Sequence, residues 1–274
     1  MNQNWFYKKN QSLFETDNPV ALVTGSASNR VGRQIGQLLM DRHFRVAFHS
    51  HQSKPQDQEY VLTQQRQGRE AMLVSGAVES EKNIASWLEV LKDNWGRVDL
   101  VVNSAAVWDP KCLSKTSIED VRRHWEVNVL GTFLVSQKFG LEMAGQRSGG
   151  AIIQIGDWAV ARPYTEFSAY FLSKGSIETM TRSLAVELAC RNPRMRVNAV
   201  LPGPVMLADS ISEQRQKEIL EDCLLKRHGT AEDVAEAVYF LATSPFITGV
   251  CIPVDGGRTI YGGTGRDSVA HPKM

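Results

Sequence analysis

Tyr170 and Lys174 stand four positions apart in a segment of helical period, so both side chains leave the same helix face. An ammonium beside a phenol favours the phenolate and lowers its pKa, which makes such a tyrosine a usable proton donor or relay near neutral pH. A Tyr/Lys pair alone is common on solvated helices, so its meaning depends on what else reaches that face. Two further features precede it: Asn103-Ser104-Ala105 at the end of an apolar run, and Asn128 within Val127-Asn128-Val129 of a helical stretch.

A second region with chemical potential is Thr24-Gly25-Ser26-Ala27-Ser28-Asn29-Arg30-Val31-Gly32. It follows a short β-branched run and opens a helical pattern, which sets Gly25, Ser28, Asn29, Arg30 and Val31 where a pyrophosphate would meet a helix N-terminus. An enzyme using NAD needs an Asp or Glu near the end of the second strand to bind the ribose 2′-hydroxyl. The segment there reads Phe48-His49-Ser50-His51-Gln52-Ser53-Lys54. Donors at His49, Ser50, His51 and Ser53, with Arg30 from the turn, suit a 2′-phosphate instead, and NADPH is the expected cofactor.

The elements that must position these residues alternate short apolar runs with longer helical segments from residue 19 onward, the pattern of repeated βαβ units. Strands are expected at Val20–Val23, Arg45–Phe48, Ala71–Val74, Val98–Val102, Ala151–Ile155, Arg196–Val200 and Gly249–Val254. Helices are expected near 31–41, 58–67, 81–95, 117–143, 168–190 and 231–243. The fold class is therefore α/β: a single Rossmann-type, doubly wound domain over 19–261 with a seven-stranded parallel sheet. Residues 1–18 and 262–274 read as a terminal extension and a tail, both poorly ordered. The stretch from Pro202 to about His228 lacks a strand pattern and reads as a loop and helix covering a substrate.

Bulk properties narrow the function. The 31 basic and 30 acidic residues leave a formal charge of +1, without the basic stripe that nucleic acid requires. Cys112, Cys190, Cys223 and Cys251 form no CxxC pair, so neither a metal site nor a disulfide framework is expected. No run approaches the roughly 18 apolar residues of a membrane span. A soluble cytoplasmic enzyme is the expectation, acting on a small molecule.

The ordered set of Thr-Gly-rich turn, Asn103-Ser104-Ala105, Asn128, Tyr170-x-x-x-Lys174, Pro202-Gly203 and Asp255-Gly256-Gly257 resembles the short-chain dehydrogenase/reductase family over roughly residues 19–260. The resemblance implies that Tyr170 transfers protons, that Lys174 binds the nicotinamide ribose and tunes Tyr170, and that Asn128 positions a water in the relay. It adds Ala105, Pro202 and Gly203 to the cofactor surface, together with Asn103, which is expected to hold the sheet and the cofactor loop rather than to do chemistry. It also implies a homotetramer, with helices 117–143 and 168–190 at the contacts.

Thirteen residues before Tyr170, where most members carry a serine, stands Asp157. A carboxylate suits a simple ketone oxygen poorly, but it accepts hydrogen bonds from an NH-rich heterocycle and donates one when protonated. The pteridine reductases carry this Asp, an aromatic residue at the position of Trp108 and an arginine at that of Arg30, and the chain resembles them in all three. The branch implies a pterin or dihydropterin substrate contacted by Arg30, Trp108, Asp157 and Tyr170, with hydride added to a C=N bond. Two alternatives stand beside it: a reductase of a carbonyl substrate such as a 3-oxoacyl thioester, and a catalytically weak NADPH-binding partner protein. The turn from Gly25 to Gly32 is one residue longer than the family spacing, and Ala77 replaces the acidic residue that normally meets the adenine amino group.

Overall fold

The computed structural model describes residues 3–206 and 212–261. Its strands are β1 (Val20–Val23), β2 (Arg45–Ser50), β3 (Ala71–Ser75), β4 (Leu100–Asn103), β5 (Gly150–Ile155), β6 (Met195–Pro202) and β7 (Cys251–Val254). They form one parallel sheet in the order β3-β2-β1-β4-β5-β6-β7. The order reverses between β1 and β4, so the crevice at their carboxyl ends is where an open α/β sheet takes its ligand.

Both faces of the sheet are covered, as parallel sheets require. Along β1, Ala21 and Val23 face a cluster shared with α1 (Gln3–Phe14), α2 (Val31–Asp41), α3 (Pro55–Arg66) and α9 (Ala231–Ala242). Val20 and Leu22 face the opposite cluster, shared with α4 (Glu81–Trp95), α6 (Thr132–Gly145) and α7 (Ser168–Ala189). Side chains that alternate by two along a strand thus tie both helical layers to one sheet.

The elements depart from the expected ones in three places. Residues 3–14, expected as a poorly ordered extension, form α1, and both Phe6 and Phe14 are buried in the first cluster. Phe6, Asn10, Leu13 and Phe14 recur at three- and four-residue steps, so the helical stripe is present in the sequence. Arg97 then holds the C-terminal end of α1 by donating to the Phe14 carbonyl at 2.5 Å. The single helix expected over 117–143 is α5 (Ile118–Trp125), a π-helical turn over Glu126–Gly131 and α6. The helix expected near 58–67 begins at Pro55, whose fixed φ and missing N–H suit a first helical position.

In the segment expected to cover a substrate, α8 (Glu213–Glu221) is the helix; residues 207–211 and the tail 262–274 lie outside the described residues. Among the described residues no helix is long and apolar enough to cross a membrane, and no group of three or more His, Cys, Asp or Glu is arranged to hold a metal. The four cysteines are unpaired.

Candidate active site and dinucleotide cradle

α7 carries Tyr170 and Lys174 on a buried face, and the strand end of β5 brings Asp157 against them. The Tyr170 hydroxyl donates to Asp157 Oδ2 at 2.6 Å. Asp157 Oδ1 accepts from the Ala159 N–H at 2.8 Å, so the carboxylate also caps the short 3-10 turn that follows it. Lys174 Nζ donates to the Ile155 carbonyl at 2.7 Å.

This arrangement corrects the expected electrostatics. Burial pushes the Tyr170 phenol well above its usual range, and the negative charge of Asp157 adds to the effect. Lys174 does not lower it, because the ammonium turns to a backbone carbonyl and Asp157 is the charged neighbour of the phenol. Burial also raises the Asp157 carboxyl above the usual carboxylate range, opposed by its bonds to Tyr170 and Ala159. The Lys174 ammonium is desolvated, and its pKa falls to about 8. In this geometry the proton of the pair is on the phenol, and both Asp157 oxygens accept hydrogen bonds.

Asn128 sits in the π-helical turn, a local distortion often found at functional sites. Its Oδ1 accepts from the Val107 N–H at 2.9 Å. Its Nδ2 donates to the Val107 carbonyl at 3.1 Å and to Ser173 Oγ at 2.9 Å. Both amide N–H directions are therefore taken by protein. The side chain clamps the segment bearing Trp108 to α7 one residue before Lys174, a role the expected water relay did not include.

The Gly-rich turn is built for close backbone approach. Gly25 has φ +64, and a Cβ there would stand 2.7 Å from Ala105 Cα; one on Gly32 would stand 2.8 Å from the Gly25 carbonyl oxygen. Thr24 Oγ1 accepts from the N–H groups of Ser104 and Ala105 at 3.0 and 3.1 Å, which joins the turn to the end of β4. Arg30 is the N-cap of α2 and makes no side-chain cap bond; its carbonyl accepts from Arg33 N–H, which leaves the Val31 and Gly32 amides facing the turn. Ser28, Asn29 and Arg30 are exposed beside them and Val31 is partly so. Small residues around an open helix N-terminus fit a dinucleotide pyrophosphate. Gly203 packs on the turn that follows β7, since a Cβ there would meet Asp255 Cα at 2.5 Å. Asp255 in turn accepts from the N–H groups of Gly257 and Thr259. Pro202 and Gly203 are partly exposed at the end of β6.

Two expected cofactor contacts lie elsewhere. His49 is 2 % exposed and is spent on backbone: Nδ1 accepts from the Gly25 N–H at 3.0 Å, and Nε2 meets the Gly76 carbonyl at 2.9 Å. Burial lowers its pKa to about 4, so it is a neutral strut rather than a phosphate ligand. Asn103 is likewise buried, donating to Ser136 Oγ and Gln154 Oε1 between β4, β5 and α6, which is the sheet-holding part of its expected role. Ser50 Oγ lies 2.7 Å from the Gln52 carbonyl and 3.0 Å from Asp57 Oδ2, while His51 and Ser53 remain exposed. Asp57 is an acid seven residues beyond the end of β2, outside the segment where a ribose-binding acid was expected. It is buried, takes part in the N-terminal capping of α3 and lies 3.8 Å from Arg33.

Trp108 stacks on Phe167 at 4.8 Å and 18°, and the tryptophan remains 46 % exposed. Tyr164 and Phe171 extend this aromatic group, and Phe171 touches Tyr170 at 5.4 Å. Tyr164, Phe167 and Phe171 were not among the expected site residues. The density of aromatics between 164 and 171, immediately around Tyr170, was the available signal.

The comparisons agree with this fold. A family model described as enoyl-(acyl carrier protein) reductase matches residues 25–259. Carbonyl reductase family member 4 of Xenopus tropicalis is 33% identical over 84% of this chain and 94% of that protein. The 3-oxoacyl-(acyl-carrier-protein) reductase of Homo sapiens is 30% identical over 84% of this chain and 94% of its own length. The crystal structure of a putative gluconate dehydrogenase from Agrobacterium tumefaciens superposes with a TM-score of 0.81 at 25% identity, covering 88% of this chain and 96% of that one. These relatives bear out a reductase of this fold and lend no support to the pteridine reductase branch. On the family match, the relatives and the ordered site residues together, the chain belongs to the short-chain dehydrogenase/reductase family.

Proposed function

We infer that the protein is an NADPH-dependent reductase of a flat, NH-rich heterocycle of the pterin or dihydropterin class. The observation that carries this reading is the carboxyl of Asp157, 2.6 Å from the Tyr170 hydroxyl. A carboxyl at this point can accept from ring and exocyclic N–H groups or, with its raised pKa, donate to a ring nitrogen. The half-exposed indole of Trp108, backed by Phe167, supplies a flat surface of the kind that a fused heterocycle stacks on.

NADPH, when bound, supplies the hydride. The turn from Gly25 to Gly32 and the N-terminus of α2 would hold the pyrophosphate, and exposed Arg30, His51 and Ser53 would meet the 2′-phosphate. Lys174, its ammonium buried beside the site, would donate to a ribose hydroxyl. Tyr170 delivers the proton to the substrate nitrogen and is reprotonated from solvent, so that, with the hydride added to carbon, a C=N bond becomes CH–NH; Asp157 holds the hydroxyl in place by accepting from it. Trp108 and Asp157 orient the ring, which is where most of the rate gain from positioning would arise. A homotetramer belongs to the same reading, supported by the exposed apolar side chains of Leu172 and Val186 on α7 and Leu141 on α6.

A second reading, reduction of a carbonyl substrate, is favoured by the printed activities of the relatives, which include carbonyl and 3-oxoacyl-(acyl-carrier-protein) reductases. NADPH oxidation followed against dihydropterins, 3-oxoacyl thioesters and simple ketones separates the two. The inference expects turnover confined largely to the dihydropterins; efficient turnover of a 3-oxoacyl thioester with none of a dihydropterin would replace it by the second reading.

A further inference from the structure

His49 ends the buried part of β2, and every polar atom it carries is engaged with the edges of the dinucleotide cradle. Its backbone carbonyl accepts from the N–H groups of Ser26 and Ala27 at 3.0 and 3.1 Å, and its own N–H donates to Ser26 Oγ at 3.1 Å. The ring continues the connection: Nδ1 accepts from Gly25 N–H on one side, which leaves the proton on Nε2 for the Gly76 carbonyl on the other. Trp87 packs edge-on against the ring at 4.6 Å and donates its own N–H to the Ser75 carbonyl. The imidazole is thus held in one tautomer, between the first βα turn and the end of β3.

We propose that His49 is a positioning residue that sets the spacing between Gly25 and Gly76, and so shapes the adenosine side of the dinucleotide cradle without touching the ligand. Gly25 sits at φ +64 against Ala105 and Gly76 at φ +132 against Asn83, so each backbone is already committed to a conformation that tolerates little shift. A neutral imidazole is the side chain that offers an acceptor to one and a donor to the other across a single rigid ring. The proposal rests on the dinucleotide reading above.

The two bonds can be separated. His49→Asn keeps an acceptor near the place of Nδ1 and loses the donor to Gly76; His49→Gln keeps a donor near the place of Nε2 and loses the acceptor for Gly25. Direct titration of the purified protein with NADPH, with thermal stability and kcat at saturating NADPH measured on the same samples, reads the difference. His49→Gln is expected to weaken NADPH binding about tenfold, the equivalent of one lost buried hydrogen bond, and His49→Asn by less than about threefold, with kcat in both near the wild-type value. Equal affinities in the two variants, or wild-type affinity in both with only a lowered melting temperature, would reduce His49 to a structural residue. A side-chain nitrogen NMR spectrum of the wild-type protein is a check that needs no variant: His49 must be neutral with its proton on Nε2, and the other tautomer or an imidazolium at neutral pH overturns the proposal. Wild-type protein that binds no NADPH would refute the dinucleotide reading itself and this proposal with it, a result distinct from a failure confined to the variants.

Discussion

The Tyr170 hydroxyl donates to Asp157 Oδ2 across 2.6 Å, while Lys174, one helical turn further on, turns away to the Ile155 carbonyl. The proton at the reacting end of the site therefore belongs to a phenol and carboxyl pair. Tyr170→Phe removes the proton-transferring hydroxyl and no packing volume of consequence. It is expected to lower kcat by roughly 10²–10⁴-fold while leaving the NADPH dissociation constant near wild type. Stopped-flow kinetics and a fluorescence titration check the two halves, and near-normal turnover would show that the proton comes from elsewhere.

Lys174 yields a stability prediction with a definite sign. Its folded pKa is lowered to about 8 from the ordinary 10.5 by burial. Below about 8 the ammonium is charged in both states and its desolvation destabilises the fold. Between about 8 and 10.5 the unfolded chain binds more protons than the folded one, so this group's contribution makes stability rise with pH. Relative to Lys174→Met, the wild type should therefore gain on the order of 3 kcal/mol across that window, an upper value. Urea unfolding of both proteins at the two ends of the window measures it, and parallel pH dependences would contradict it.

Trp108 is half exposed and rests on Phe167, so its truncation tests binding without emptying the core. Trp108→Ala should raise the KM for a dihydropterin about tenfold, from a lost stacking contact of roughly 0.5–1.5 kcal/mol plus lost apolar area. The melting temperature should move little. An unchanged KM in the folded variant would remove Trp108 from the substrate surface.

The α1 helix is expected to be part of the folded unit. Phe14 is fully buried, packing edge-on against Phe44 at 5.7 Å. Phe14→Ala should cost about 3–5 kcal/mol in denaturant unfolding, the usual penalty for truncating a buried phenylalanine. A loss below about 1 kcal/mol would mean that α1 is only loosely docked.

Much of this was legible in the chain because strand and helix periods are local properties. β1, with its run of small and branched apolar residues, and α7, with its long stripe, are where periodicity put them. Tyr170 and Lys174 shared a face because four residues only slightly exceed one helical turn. What was not legible depended on partners distant in sequence. The docking of α1 needs Arg97 and Phe44, the tautomer of His49 needs Gly25 and Gly76, and the raised Tyr170 phenol needs burial by the assembled fold, with Asp157 adding to it. The π-helical turn around Asn128 keeps helical periodicity, so only the clamp on Val107 reveals it.

The central claim is that Asp157 suits the site to an NH-rich heterocycle. The ratio of kcat/KM for a dihydropterin to that for a 3-oxoacyl thioester, at saturating NADPH, tests it most directly when measured in the wild type and in Asp157→Ser. The wild type is predicted to favour the dihydropterin by roughly 10²-fold or more, since a polar group placed for a specific partner discriminates strongly against substrates that leave it unpaired. Asp157→Ser should lower that ratio by at least about tenfold through loss of the dihydropterin reaction. A wild-type ratio below one, unchanged by the substitution, would contradict the account and assign the site to a carbonyl substrate.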